Sequence, residues 1–163
     1  MKIQSMSLVY IAAFLYLLSS CTDNEINRKE IIEDQFVTSQ LEIKETIYSI
    51  IRDAEDANVE GLKSAHLESA KFSKFGPRNF ERQDLKSTNE TEEAFFTSIS
   101  DYKQKIRDLK IDVFDDMAIA TYYPDVSYIQ NGETKTGTGR QTFVFLKTES
   151  GWKLVHEHGT AMQ

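Results

Sequence analysis

Asn131-Gly132 stands between two long β-rich runs, Met117 to Ile129 and Thr134 to Lys147. This dipeptide is a strong short-range hairpin signal, because a tight turn between twisted strands needs positive φ at both central residues. The two runs are therefore predicted to be neighbouring antiparallel strands. Upstream, Leu109, Ile111 and Val113 alternate with Lys110 and Asp112, and Asp115-Asp116 supplies a turn. Downstream, Trp152 to Thr160 completes a four-stranded antiparallel meander. Pro124, inside the second strand, predicts a bulge or an edge, since proline donates no ladder hydrogen bond.

Helical signals precede the strands. Ser39-Gln-Leu-Glu42 reads as a capping box. Ile43, Ile47, Ile50, Ile51 and Ala54 then repeat at helical spacing and form one apolar stripe, core by default. Asn58 and Gly61 interrupt it, and Leu62 to Leu67 suggests a short second helix. Phe72 to Pro77 reads as a break. Asn89 with Glu92 suggests the cap of a third helix carrying Phe95, Phe96, Ile99 and Tyr102. Helices first and strands afterwards imply an α+β fold with the helices packed on one face of the sheet.

Residues 1–20 read as a signal peptide. The stretch from Leu8 to Leu18 is almost wholly apolar, and it is shorter than the roughly 20 residues a membrane span needs. Leu18-Ser19-Ser20-Cys21 resembles the lipobox of bacterial lipoproteins. That resemblance implies acylation of Cys21, a lipidated tether over 21–38 and a domain over 39–163. Thr22 after the cysteine implies retention in the outer membrane, so the expected location is the bacterial cell envelope. The tether from Thr22 to Gln35 is highly charged, with some helical character. Cys21 is the only cysteine, which leaves the folded domain without disulfides, thiol catalysis or cysteine-type zinc sites. A formal net charge of −7 without a basic patch argues against nucleic acid as a partner.

The C-terminal run Arg140-x-Thr142-x-Val-x-x-Lys-x-x-x-Gly151-Trp152-x-Leu-Val-His156-x-His158 resembles the SnoaL-like branch of the nuclear transport factor 2-like superfamily. The resemblance covers about residues 39 to 161. It implies a cone, in which a curved meander wraps a pocket capped by helices. Members include isomerases, dehydratases, hydrolases and modules without activity, so the fold does not by itself give the function. No catalytic acid of the known enzymes matches here residue by residue.

Strand pairing decides which polar residues meet. A two-residue turn at Asn131-Gly132 places Gln130 opposite Glu133, Thr121 opposite Thr142 and Tyr123 opposite Arg140. A three-residue loop ending at Gly151 would place Thr148 opposite Trp152, His156 opposite Val144 and His158 opposite Thr142. Tyr123, Arg140, Thr142, Trp152, His156 and His158 then share one face. A four-residue loop would instead group Arg140 with Lys153 and Glu157, because a one-residue slip moves every side chain to the other face. The family pocket favours the first register. On it, His156, His158 and Arg140 are the candidate catalytic groups, with the histidines as bases and the arginine as stabiliser. Tyr123, Thr142 and Trp152 are candidate ligand contacts. Phe143, Phe145 and Val155 would point away from the helices, and covering them predicts a homodimer.

Each residue also has a structural role open to it. Trp152 can be core, the histidines can be satisfied buried groups, and Arg140 can pair with Asp112, Asp125 or Glu157. The His156-x-His158 pair lacks a third metal ligand, and His66, the remaining histidine, falls on a predicted helix, so no metal is expected. Nothing matches a nucleophile elbow, a phosphate loop or a dinucleotide fingerprint, and no cofactor is expected. Three functions compete: a small-molecule-binding or interaction module, an acid–base enzyme of the isomerase, dehydratase or hydrolase type, and a purely structural dimer. The expected ligand is small, partly apolar, and bears a carbonyl or carboxylate. A cavity above roughly 300 Å³ separates the first two from the third.

Overall fold

The computed structural model describes residues 28–77 and 79–162. The leader, Cys21 and most of the tether lie outside these residues. The chain divides into Met1–Glu33 and Asp34–Gln163. In the first, the described part is a short helix, α1 (Arg28–Glu33). No helix among the described residues is long and apolar enough to cross a membrane.

From Asp34 onward, helices α2 (Val37–Glu55), α3 (Val59–Ala65) and α4 (Leu85–Thr97) pack on one face of a curved sheet. Its strands are β1 (Ser73–Phe75), β2 (Ser100–Phe114), β3 (Met117–Gln130), β4 (Glu133–Thr148) and β5 (Gly151–Met162). The sheet order is β1-β5-β4-β3-β2. The expected meander is β2 to β5. The fifth strand, β1, pairs parallel with β5 and lies within the segment read as a break. Ser-Lys-Phe is too short to show an alternating pattern.

The apolar stripe of α2 is core, with Ile43 and Ile47 fully buried beside Ile51 and Ala54. Its start differs from expectation. The helix begins two residues before Ser39, with Phe36 at the N-cap in the left-handed conformation and no side-chain cap. Phe36 packs against the core, so burial of the ring accompanies an uncommon backbone state. The third helix also begins earlier than Asn89. Asp84 caps it, accepting from the Ser87 backbone N–H while the Ser87 hydroxyl accepts from the Asp84 N–H. Tyr102, expected on that helix, belongs to β2.

Asn131 and Gly132 both have positive φ, and Gln130 pairs with Glu133, as expected. Thr121 pairs with Thr142. In β2 the ladder shifts between Ser100 and Lys103 and again between Arg107 and Lys110. Asp101 and Asp108, at these shifts, are left-handed, a conformation aspartate tolerates better than most residues. Such bulges bend a strand and increase its twist, which curls the sheet.

β5 contains both registers weighed from the sequence. Lys147 pairs with Trp152, and Thr148 with Gly151, so the loop is the two residues Glu149 and Ser150, shorter than either expected length; it groups side chains as the four-residue loop would, and Thr148 does not face Trp152. Val155 is then an extra residue between the pairs Phe145–Leu154 and Val144–His156. Beyond this bulge, His156 opposes Val144 and His158 opposes Thr142, the first register. Trp152 therefore projects to the opposite face from the two histidines.

The face orientation reverses the expectation. Phe143 and Phe145 point toward the helices and join Trp152, Leu154, Ala118, Ala120 and Tyr122 in the core. Phe145 is fully buried. Burying a phenylalanine contributes about 1.5–3 kcal/mol, more than a polar residue gains at the same position. The phenylalanines thus set the face, and their polar strand neighbours turn outward.

Candidate functional site

The helices and the inner sheet face enclose a cavity of about 550 Å³. Six phenylalanines and tyrosines contribute to its walls. Phe95 and Phe96 of α4 meet Tyr102 of β2 edge-on, and Phe95 also meets Tyr128 of β3. Phe143 and Tyr122 face each other edge-on further along the wall. Such edge-to-face packing suits the charge distribution of aromatic rings.

His66, Lys74, Glu92 and Glu157 form the polar end of this cavity. Each comes from a different part of the fold. His66 caps the C-terminus of α3 in extended conformation, and the next residue, Leu67, donates its backbone N–H to the Leu154 carbonyl. Lys74 lies on β1 directly across from Glu157 on β5. Glu92 lies on α4, one turn after Asn89.

These side chains satisfy one another. His66 Nε2 is 2.8 Å from Glu157 Oε1, and its Nδ1 is 3.1 Å from Asn89 Oδ1. Lys74 Nζ is 3.0 Å from Glu157 Oε2 and also donates to Glu92 Oε1. Glu92 Oε2 is 3.8 Å from His66 Nε2 and accepts no hydrogen bond among the described residues. Each carboxylate therefore turns one oxygen toward Lys74 and the other toward His66. Phe72 stacks on the His66 ring at 4.7 Å, tilted by 49°.

Charge state follows from this geometry. Burial alone would push the Glu157 carboxyl up, but the Lys74 ammonium and His66 outweigh it and hold Glu157 well below its usual range. Burial would lower His66, yet the hydrogen bond and charge of Glu157, with Glu92 adding to them, leave it raised above 6.5. Burial would lower Lys74, and Glu157 and Glu92 raise it instead, so the amine stays protonated. The Tyr122 phenol is pushed up, chiefly by burial.

His66, Glu92 and Glu157 also present ligand atoms within 4.8 Å of one another, the spacing of a metal site. Lys74 fits poorly with that role. Its ammonium bridges the two carboxylates and supplies the positive charge a metal would bring.

Of the residues singled out from the sequence, Arg140 borders the cavity and the others lie elsewhere. Tyr123, Arg140, Thr142, His156 and His158 do share a face, but it is the outer one. His156 Nδ1 is 2.9 Å from the Ser73 hydroxyl, and His158 Nε2 is 3.3 Å from the Thr160 hydroxyl. Phe75 packs edge-on against both rings. Tyr123 lies 5.7 Å beneath the Arg107 guanidinium, which grips Asp125 through two hydrogen bonds. Arg140 is exposed at the cavity mouth. Its expected partners are occupied, Asp125 by Arg107, Asp112 by Lys110 and Glu157 by Lys74. Trp152 is core, and its Nε1 donates to Glu42 Oε2 at 3.0 Å.

Among the four cluster residues, sequence reasoning named Glu157 as a possible partner of Arg140 and His66 as the remaining histidine, and it placed neither in a pocket. The polar end of the cavity needs the parallel β1–β5 pairing and the Val155 bulge, and short-range patterns show neither.

A profile of the SnoaL-like domain matches residues 43–162. No curated protein matches the chain. Among solved structures, a nuclear transport factor 2-like superfamily protein from Salmonella enterica serovar Typhimurium is 23% identical with a TM-score of 0.72, covering 78% of this chain and 93% of that one. A candidate dehydratase of the same superfamily from Streptomyces avermitilis is 16% identical with a TM-score of 0.71, covering 77% and 97%. A candidate calcium/calmodulin-dependent protein kinase II association domain from Xanthomonas campestris is 18% identical with a TM-score of 0.65, covering 74% and 86%. At these identities the likeness is one of fold.

Proposed function

The chain belongs to the SnoaL-like domain family, and on that premise we propose that it is a small-molecule-binding module of the bacterial cell envelope. The observation that carries this reading is the cavity of about 550 Å³, with six aromatic residues in its walls and a cluster of ionisable groups at one end. Ligand sites typically have this size and this division between apolar wall and a few convergent polar groups. A purely structural module would fill its cone with side chains.

The envelope location rests on the leader and on Leu18-Ser19-Ser20-Cys21. Acylation of Cys21 would hold the domain at the outer membrane, since two or more chains give stable anchoring. A homodimer through the outer sheet face is part of the same proposal. The apolar residues offered there are Phe114, Met117 and Ile119, not Phe143 and Phe145.

One observation favours a second reading, acid–base catalysis. An imidazole and a carboxylate at 2.8 Å stand at the end of an apolar cavity, the pairing a general base requires. On this reading the groups are His66 and Glu157 in place of His156, His158 and Arg140.

Native mass spectrometry of the domain purified from bacteria tests the binding reading. The expected result is a retained small molecule that is lost when Val126→Trp fills the cavity from its wall. An empty protein whose melting temperature no compound in a chemically diverse library raises would sink it. For the anchor, Cys21→Ser should abolish acylation and move the protein from the detergent phase to the aqueous phase.

A further inference from the structure

Three ligand groups of the polar cluster converge. His66, Glu92 and Glu157 each offer one atom, and these atoms lie within 4.8 Å of one another. His66 Nε2 is 2.8 Å from Glu157 Oε1 and 3.8 Å from Glu92 Oε2. Two atoms bound to one tetrahedral zinc ion, each about 2.1 Å from it, stand roughly 3.4 Å apart. The observed spacings straddle that value. Glu92 Oε2 is buried and accepts no hydrogen bond among the described residues. Asn89 completes the arrangement. With Nδ1–H donating to Asn89 Oδ1 at 3.1 Å, a neutral His66 presents Nε2 as a ligand, and metal-binding histidines are commonly oriented in this way.

Lys74 binds the opposite oxygens of the same two carboxylates, Glu92 Oε1 and, at 3.0 Å, Glu157 Oε2. Its ammonium therefore denies a metal ion charge compensation more than it denies space. Two carboxylates carry −2, and Lys74 leaves −1. A divalent ion added beside Lys74 would take the cluster to +1, with two buried cations sharing the same acids. Without the ammonium, the same ion would bring the cluster to neutrality. Uncompensated buried charge is costly, so this difference decides whether the ion enters. Arg140, the other cation lining the cavity among the described residues, is exposed at the mouth, where water screens it.

We propose that Lys74 is the resident cation of a three-ligand metal site, that it excludes divalent ions by charge and not by volume, and that neutralising this one residue opens the site to zinc or cobalt. His66 Nε2, Glu92 and Glu157 are the ligands, and Asn89 is a positioning residue for His66. The inference is independent of what the cone binds.

Zinc calorimetry and cobalt absorbance at pH 7.5 on wild type, Lys74→Met and Lys74→Arg test it. Lys74→Met keeps much of the volume and loses the charge. It is expected to bind zinc about 100-fold more tightly than wild type and to show the visible absorption of four-coordinate cobalt. Lys74→Arg keeps the charge and should match wild type. The His156-x-His158 pair is common to all three proteins and cannot produce a difference between them. Adding His66→Gln to Lys74→Met should remove the gain. Because Lys74→Met strands two buried acids, its urea midpoint is also compared in zinc and in chelator. Zinc should raise that midpoint, or restore the fold outright if the chelated variant is unfolded, and leave wild type unmoved. Equal zinc affinity in wild type and Lys74→Met overturns the proposal, as does a Lys74→Met chain that stays unfolded in zinc. An equal gain in Lys74→Arg overturns exclusion by charge.

Discussion

His66 and Glu157 are separated by 91 positions in the chain, yet His66 Nε2 and Glu157 Oε1 are 2.8 Å apart beside the cavity. The contact ties the end of α3 to β5. It also makes the two groups' protonation part of the fold's stability.

The pH dependence follows from the two shifts. His66 is raised on folding, so its contribution is fully present below about 6.5 and is lost as pH rises through its raised folded value. Glu157 is lowered, so its contribution is present above about 4.5 and is lost as pH falls toward its folded value. Urea denaturation of wild type and His66→Gln should show a larger stability gap at pH 5.5 than at pH 8.5. A gap that does not change with pH would mean His66 gains no charge stabilisation from folding.

Lys74→Met should be far more damaging than its conservative volume suggests. It leaves Glu92 and Glu157 buried without their shared cation, and breaking a buried pair in this way costs about 3–5 kcal/mol. Adding Glu92→Gln and Glu157→Gln should recover a large part of that loss in the denaturation midpoint. No recovery would show that Lys74 matters for packing, not charge.

The orientation of the sheet can be tested by two substitutions on β4 and β5. Phe145→Ala should cost about 3–5 kcal/mol, as expected for a fully buried ring. His158→Ala, on the outer face, should change stability by no more than about 0.5 kcal/mol. Comparable losses in urea melts would contradict the face assignment.

The outer face offers a test of the dimer. Ile119 and Met117 are 41% and 39% exposed on a sheet surface that nothing in the chain covers among the described residues. Light scattering of the domain from Asp34 onward should give twice the monomer mass at micromolar concentration, and Ile119→Lys should halve it. A wild-type monomer at that concentration would remove the dimer.

Much of the fold could be read in advance because its signals are local. Asn131-Gly132 specifies its turn through the φ angles of two residues, and the isoleucines of α2 specify a helix face through spacing alone. The start of α4 was hidden because its capping box uses Ser87 where glutamate or glutamine is the usual signal. The candidate site was hidden for a different reason. His66, Lys74, Glu92 and Glu157 come from four separate segments, and two of them meet only through a parallel pairing three residues long. Tyr123, Arg140, Thr142, His156 and His158 share a face as read and Trp152 does not, and core burial of Phe143 and Phe145 turns that face outward.

A β-strand carries two interleaved messages, one for each side of its sheet, and Val155 acts on them as a single inserted letter acts on a reading frame. Upstream of it, even-numbered Trp152 and Leu154 face the core. Downstream, odd-numbered Glu157 and Gly159 do, while His156 and His158 face outward. Reading straight through would send Glu157 out and bring both histidines in. Removing the extra letter does not restore that reading. Deleting Val155 would bring His156 directly after Leu154 and leave the pairs Phe145–Leu154, Val144–His156 and Phe143–Glu157 as they stand. The bulge therefore lets two residues stand between Leu154 and Glu157, where regular alternation holds one, and still turns both toward the core.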